Sequence, residues 1–456
     1  MKSFFSKKHS TEVNMTEGNI LGHLIRFSLP LVFGNFFQLL YNTVDTWVVG
    51  NFVSNEAFSA VGTVSPIINM LIGVFMGLSN GAGVVIAQYY GAGREDRVSE
   101  TVHTAILGTV LLSIVFTAIG IIMTPDMLTL MKTPDSVRPE AVTYLTIYFA
   151  GLPALMLYNM GTGVLQAVGN ARIPFLFLVL CALLNSILDL VFVLCFHWGV
   201  AGVAYATILS ELISAVLVIA VLTRTKSSVR LRIRSLCIRK DPLKKIWRVG
   251  FPAALQMGVT AFSNVFVQSY INFFGADVMS GWTVYNKMDQ LMFLPMRSVA
   301  LASSTFTGQN LGSGQQARAR KGTRTALLIA VTSTVILGAP LVIFAPQLVE
   351  FFNAKPEVIA SGTLLLRLLS PFYIVCCVNQ VLAGSLRGAG NTRMPVIIML
   401  TSFVLIRQIY LYIMANCISN TVVPIALGYP LGWVVCSIAI YMYYRRTDLE
   451  KTRVTD

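Results

Sequence analysis

Charge is what this chain has least of. Only 12% of its 456 residues are Asp, Glu, Lys or Arg, against about 25% in soluble domains. Apolar side chains make up 55%, and mean hydropathy is +0.70. A water-soluble fold of this size has no room to hide that much apolar surface, so lipid is the expected solvent. Acids are scarcer than bases, 20 against 34, which leaves a net charge of +14. That surplus does not make a nucleic-acid binder, because the bases sit in short segments between apolar stretches and never line one amphipathic face. Only four histidines occur (His9, His23, His103 and His197), and they do not cluster. No His-x-x-x-His, Ser/His/Asp or phosphate-binding Gly-x-x-x-x-Gly-Lys pattern is present. An enzyme, an ATP-driven pump and a metal or organic cofactor are therefore not expected; the energy source left is an ion gradient. The seven cysteines show no metal-ligand spacing and mostly fall in apolar runs, where they read as small buried hydrophobes. The polar first 20 residues lack an apolar core ahead of a cleavage site, so the first span is expected to be the insertion signal.

What the chain has instead is a series of long apolar runs. A span needs about 20 predominantly apolar residues. Twelve candidates lie at 22–50, 57–89, 100–124, 139–167, 171–197, 199–223, 249–274, 279–309, 324–345, 358–386, 394–416 and 420–443. The fold class is thus an all-α polytopic membrane protein. Pro30, Pro66, Pro153, Pro252, Pro295 and Pro371 fall within these runs and predict tilted or bent helices. Of the 34 basic residues, 27 lie at the termini and in the loops after even-numbered spans, and only Lys132, Arg138 and Lys355 lie in the opposite loops. The positive-inside rule then puts both termini in the cytoplasm. The segment Arg224–Arg248 carries ten bases against one acid, Asp241, and reads as a cytoplasmic linker touching anionic lipid heads.

The chain also repeats itself at an offset of about 221 residues. Gly163-Val-Leu-Gln-Ala-Val-Gly-Asn-Ala-Arg-Ile-Pro174 matches Gly384-Ser-Leu-Arg-Gly-Ala-Gly-Asn-Thr-Arg-Met-Pro395 at six of twelve positions. Gln88-Tyr-Tyr-Gly-Ala-Gly93 matches Gln309-Asn-Leu-Gly-Ser-Gly314, and Pro30 and Asn42 match Pro252 and Asn264. Six spans per repeat is an even number, so both halves face the same way, about an axis along the membrane normal. Carriers often use such a design, with cargo held between the halves. The expected organisation is a tail (1–21), an N-lobe (22–223), the basic linker (224–248), a C-lobe (249–443) and a C-terminal tail (444–456).

An ionisable group within a span is a functional hypothesis by default. Asp45, Asp189, Glu211 and Asp289 qualify. Asp45 ends a polar stripe on helix 1 with Asn35, Gln38 and Asn42, spaced 3, 4, 3 along one face. Asn185 and Asp189 share a face of helix 5, as do Thr207 and Glu211 on helix 6. At 1.5 Å per residue, Asp45 lies about 8 Å, and Asp189 and Thr207 about 12 Å, below the outer helix ends. Asp45, Asn185, Asp189 and Thr207 are the expected coupling cluster for H⁺ or Na⁺. Two carboxylates in hydrocarbon are poor structural glue, and proton uptake there would switch the local charge. In the second half, Asp289 on helix 8 and Arg407 on helix 11 lie at equal depth, and an ion pair is expected, with Lys287 as a possible third member. Gln256, Thr260, Asn264 and Gln268 form an uncharged polar stripe on helix 7. The expected cleft set is Gln38, Asn42, Asn69, Gln256 and Asn264, with Pro30 as a hinge.

These residues resemble the multidrug and toxic compound extrusion (MATE) family over residues 20–445. The resemblance rests on Pro30, Asn42-Thr-Val-Asp-Thr46, Gln88 with Gly91-Ala-Gly93, Gln309 with Gly312-Ser-Gly314, the paired Gly-Asn-x-Arg-x-Pro turns and Leu184-Asn-Ser-Ile-Leu-Asp189. It implies two six-helix lobes around a V-shaped cleft, exporting cationic or amphipathic compounds against H⁺ or Na⁺. In the DinF-like branch the N-lobe cation site matches Asp45, Asn185, Asp189 and Thr207. Another branch has carboxylates where Thr260 and Asn391 stand here, which argues for coupling in the N-lobe. The expected protein is a monomer of the cell inner membrane, with the lipid bilayer and small molecules as partners. A flippase for a lipid-linked precursor and a non-transporting scaffold or receptor are the alternatives. The flippase would need a strongly cationic cleft, and the scaffold leaves the buried acids unexplained.

Overall fold

The computed structural model describes residues 13–131 and 133–454, without the side chains of Phe262 and Val265. The first twelve residues of the expected tail, His9 among them, and Lys132 of the topology count lie outside the described residues. The chain forms twelve spans in order: α1 Ile20–Phe52, α2 Asn55–Gly91, α3 Glu95–Leu130, α4 Arg138–Ala150 continued by Leu152–Ala167, α5 Arg172–Cys195, α6 Gly199–Arg224, α7 Lys240–Asn272, α8 Ala276–Gly312, α9 Gln316–Ile343, α10 Pro356–Gly388, α11 Arg393–Ile418 and α12 Val422–Arg446. A short helix, Ala345–Phe352, lies between α9 and α10. Among the described residues, nine of the spans are long and apolar enough singly to cross a membrane. The two pieces of α4, bent by 47°, make a tenth. The remaining two, α7 and α8, reach 33 and 37 residues but carry more polar side chains.

Several helices outrun the expected spans. Hydropathy reports only the hydrocarbon-embedded stretch, whereas a helix continues into water when its ends are capped and its charges paired. Thus α7 starts at Lys240 and absorbs the end of the expected linker, with Asp241 in its first turn, 3.4 Å from Lys245. α3 starts at Glu95 and pairs Arg97 with Glu100 at 3.0 Å. The linker remainder is fastened to α3: the Arg232 N–H donates to His103 Nε2 (3.0 Å) and the Arg239 N–H to Thr104 Oγ1 (3.1 Å). Proline acts in two ways. Pro153 follows the α4 break, and Pro371 lies in the 3₁₀ turn Ser370–Phe372 that interrupts α10. Pro30, Pro66, Pro252 and Pro295 sit inside continuous helices. Of the cysteines, all free, Cys181, Cys376, Cys377 and Cys436 are buried, but Cys195 and Cys417 are exposed.

The two halves meet closely at the end of the bundle that carries both termini. There α2 crosses α8 so tightly that a Cβ on Gly91 would stand 1.9 Å from the Gln309 carbonyl oxygen, and one on Gly312 would stand 2.0 Å from that of Gln88. Only glycine permits that approach. The repeated turns have left-handed glycines, Gly169 (φ +81°) and Gly390 (φ +89°), and Val13 and Val454 lie beside them. The Val13 N–H bonds Val168 O at 3.2 Å, and a Cβ on Gly390 would meet Val454. Gln309 accepts from the Met15 N–H (2.9 Å) and donates to Ala167 O (2.8 Å). Gln88 accepts from the Val454 N–H (2.7 Å) and donates to Gly388 O (2.8 Å). These glutamines and their carbonyl partners are 221 residues apart, so the sequence repeat is a structural two-fold down to single hydrogen bonds. Each glutamine joins the halves and also pins one terminal segment.

Candidate functional site

Packing of α1 against α5 and α6 brings three candidate acids into one lobe. Asp45 is 8% exposed, Asn185 1%, Asp189 0% and Glu211 8%. The Asp45 and Asp189 carboxyls are electrostatic neighbours. Asn185 Nδ2 donates to Thr207 Oγ1 at 3.4 Å, and the Thr207 hydroxyl donates to Val203 O at 3.0 Å. α5 changes to a π-helical turn at Val191–Cys195, two residues past Asp189; such turns concentrate at functional sites.

The acceptors here outnumber the donors. Asp45 Oδ1, Asn185 Oδ1, both oxygens of Asp189 and Glu211 Oε2 are buried and have no hydrogen-bond partner among the described residues. Each such group costs about 1–3 kcal/mol when left unsatisfied, and native structures tolerate few of them. Around Asp45 and Asp189 the missing partners can be supplied by water, by protons or by a cation. Tyrosines edge this cluster and were not singled out from the sequence. Tyr144 is an electrostatic neighbour of Asp45 and Asp189, and Tyr148 and Tyr41 are neighbours of Glu211 and Asp45. Their signal was spacing: Tyr41 is four residues before Asp45, and Tyr144 and Tyr148 stack one turn apart, 6.4 Å between centroids.

The remaining candidates are dispersed. The helix 1 stripe does not share one environment. Asn35 Nδ2 reaches across to Ser298 Oγ of α8 (3.3 Å), Gln38 is half-buried, and Asn42 is exposed. Periodicity defines a face, but two neighbouring helices divide it. Asn69 and Asn264 are exposed and Gln256 is half-buried. Part of the helix 7 stripe is tied to α11: Gln256 Nε2 contacts Met399 Sδ (3.1 Å), and Asn264 Oδ1 accepts from Arg407 (2.9 Å). Pro30 lies in an unbroken α1, where its ring removes the bond to Arg26 O.

The expected Asp289–Arg407 ion pair is not formed. Asp289 Oδ1 accepts from the hydroxyls of Tyr373 (2.7 Å) and Tyr285 (3.3 Å). Arg407 donates to Ser263 Oγ (2.8 Å) and Asn264 Oδ1 and stacks 4.8 Å over Tyr429. The cation whose field reaches Asp289 is Arg297, two turns along the same helix. Lys287 is exposed and does not join it. The two groups face different neighbours, and neutral donors and acceptors nearer to each took the place of the opposite charge.

The MatE family profile matches residues 30–191 and again residues 251–413. The chain belongs to the MatE family. The two matches begin 221 residues apart, the offset read from the turns and the glutamine pair. Among curated MatE-like relatives, the probable multidrug resistance protein YpnP of Bacillus subtilis is 29% identical over 95% of this chain and 96% of its own length. A solved transporter of the MOP superfamily from Pyrococcus furiosus superposes with a TM-score of 0.90 at 23% identity, covering 96% of this chain and 98% of that one. A structure described as the outward-facing conformation of a multidrug resistance MATE family transporter matches with the same TM-score and coverage. At that identity the likeness shows the MATE fold. The protein is a multi-pass membrane transporter of this family and not an enzyme.

Proposed function

We propose that this MatE-family multidrug efflux transporter exports cationic or amphipathic compounds in exchange for H⁺ or Na⁺ bound at Asp45 and Asp189, as in the DinF-like branch. The observation that carries the reading is the set of four buried acceptor oxygens of Asp45, Asn185 and Asp189 that have no donor among the described residues. Two neighbouring carboxyls away from water repel one another when both are charged, so a proton or Na⁺ between them is strongly favoured. Asn185 and Thr207 supply the neutral oxygens that complete the shell. The exposed amides Asn42, Asn69 and Asn264 support a water-filled cleft between the halves, since amides facing hydrocarbon would be costly. The terminus-bearing end, sealed by Gln88 and Gln309, is the cytoplasmic end on the Lys/Arg asymmetry, in the cell inner membrane. Cation binding shifts α1, with Pro30 as its hinge, and releases cargo outward. Thr260 and Asn391 leave the second half without a matching acid pair, which supports coupling through the first half alone.

Proteoliposomes loaded under a pH or Na⁺ gradient test this. Wild-type protein should move a fluorescent lipophilic cation under one of the gradients, and Asp45→Asn should not. Gradient-driven transport by both proteins would sink the assignment. Failure of wild type under either gradient would favour the flippase reading.

A further inference from the structure

A second concave site lies away from the cleft, on the outer flank of the second half near the terminus-bearing end. It is a groove of about 310 Å³ between the start of α9, α10 and the end of α12. Arg320, Arg324 and Arg445 surround its mouth, and no acid lines it. Among the described residues, the ion pairs join Arg97, Glu100, Asp241 and Lys245, and none involves these three arginines. The nearest acid in sequence, Asp448, is taken up by Gln316 Nε2 at 2.8 Å.

Two of the three guanidiniums are held by their faces. Arg320 stacks 5.6 Å from the centre of the Tyr444 ring and spends one N–H on Thr447 O (2.8 Å); Arg445 stacks 5.9 Å from that of Tyr441. Stacking orients the fork while leaving its edge N–H groups for an in-plane, bidentate acceptor, the geometry that suits phosphate. The Tyr444 hydroxyl, whose ring walls the groove, is buried and has no hydrogen-bond partner among the described residues. One to two turns deeper the lining becomes Leu327 and Leu382. The flanking surface is that of a lipid-facing wall: Leu328, Ile438 and Met442 are 65%, 55% and 50% exposed. A basic mouth over an apolar floor, with tyrosines at the boundary, matches a headgroup above its acyl chain.

We propose that this groove binds the phosphate of an anionic phospholipid from the leaflet on the terminus-bearing side. The site is independent of the coupling cluster, which lies in the other half. The test is native mass spectrometry of the full-length, detergent-solubilised protein titrated with phosphatidylglycerol, phosphatidylcholine or inorganic phosphate. One phosphatidylglycerol should be retained where phosphatidylcholine is lost. The pair Arg324→Gln/Arg445→Gln should weaken that retention roughly 30-fold, the loss expected for two interfacial guanidiniums. The pair Arg138→Gln/Lys355→Gln removes the same charge at the opposite end of the bundle and should leave retention intact. Photoreactive phosphatidylglycerol on wild-type protein should label α9 and α12 near Arg324 and Arg445, a readout that does not depend on any variant folding. Equal retention of both lipids, an equal loss in the Arg138/Lys355 pair, or labelling elsewhere would overturn the proposal. Displacement of the lipid by millimolar inorganic phosphate would overturn the lipid assignment in favour of a free-anion site.

Discussion

The two halves descend from one repeat, yet they treat buried charge in opposite ways. In the first half, Asp45 and Asp189 are electrostatic neighbours and keep oxygens without donors among the described residues. In the second, Asp289 receives two tyrosine hydroxyls, and Arg407 donates to Ser263 and Asn264 beside the Tyr429 ring, with only its Nε lacking a partner among the described residues. A tyrosine stands four residues before the acid in both halves, Tyr41 before Asp45 and Tyr285 before Asp289. Only Tyr285 donates to its acid in the structure. A charge whose hydrogen bonds are met is held in place, and a charge whose bonds are unmet is ready to take a ligand. The duplication supplied two scaffolds, and side-chain chemistry then made one a candidate switch and the other a support.

The comparison breaks most sharply at the acids. Asp189→Asn should lower gradient-driven export about 100-fold, near the upper range of a coupling free energy, while the purified protein keeps its thermal unfolding temperature. Asp289→Asn should leave the ion dependence of transport unchanged, and loss of gradient dependence in that variant would place coupling in both halves. Next in size is Tyr373→Phe, which strips Asp289 of its shorter hydrogen bond. It should cost about 2 kcal/mol of stability, the penalty for a buried charged acceptor losing a donor, read as a lower unfolding temperature in detergent. At the symmetric seam, Gln88→Leu and Gln309→Leu each remove two hydrogen bonds. Amide exchange should accelerate about tenfold at Val454 in the first and at Met15 in the second. Equal acceleration at both sites in either variant would show one cooperative latch instead of two. The smallest effect belongs to Thr207→Val, which removes one neutral oxygen from the shell and its 3.4 Å bond from Asn185; transport should fall about fivefold, the loss expected for one neutral contact.

Much of the architecture was legible in the chain itself. Hydropathy located twelve spans, and the Gly-Asn-x-Arg-x-Pro turns gave the 221-residue offset, because left-handed glycines such as Gly169 and Gly390 are demanded locally. Helix ends were less legible: Lys240 to Arg248 is too polar to score as span yet continues α7. The meeting of Asp45 with Asp189 agreed with depth counted along each helix. The same arithmetic misplaced Asp289 with Arg407, since depth says nothing of the direction in which a side chain points around the helix.

Composition and periodicity by themselves determined that the chain lies in lipid, that it is duplicated, and which helices carry acids. Those properties follow from solvent and backbone geometry, which act residue by residue. Tertiary structure alone decided which acid has a donor, that Asn35 reaches across to Ser298 while Asp45 turns inward, and that Gln309 bonds Met15 while Gln88 bonds Val454. Partners hundreds of residues apart are chosen by how helices rotate and cross when they pack. That rotation is fixed by the shapes of all the side chains together, and no local pattern records it.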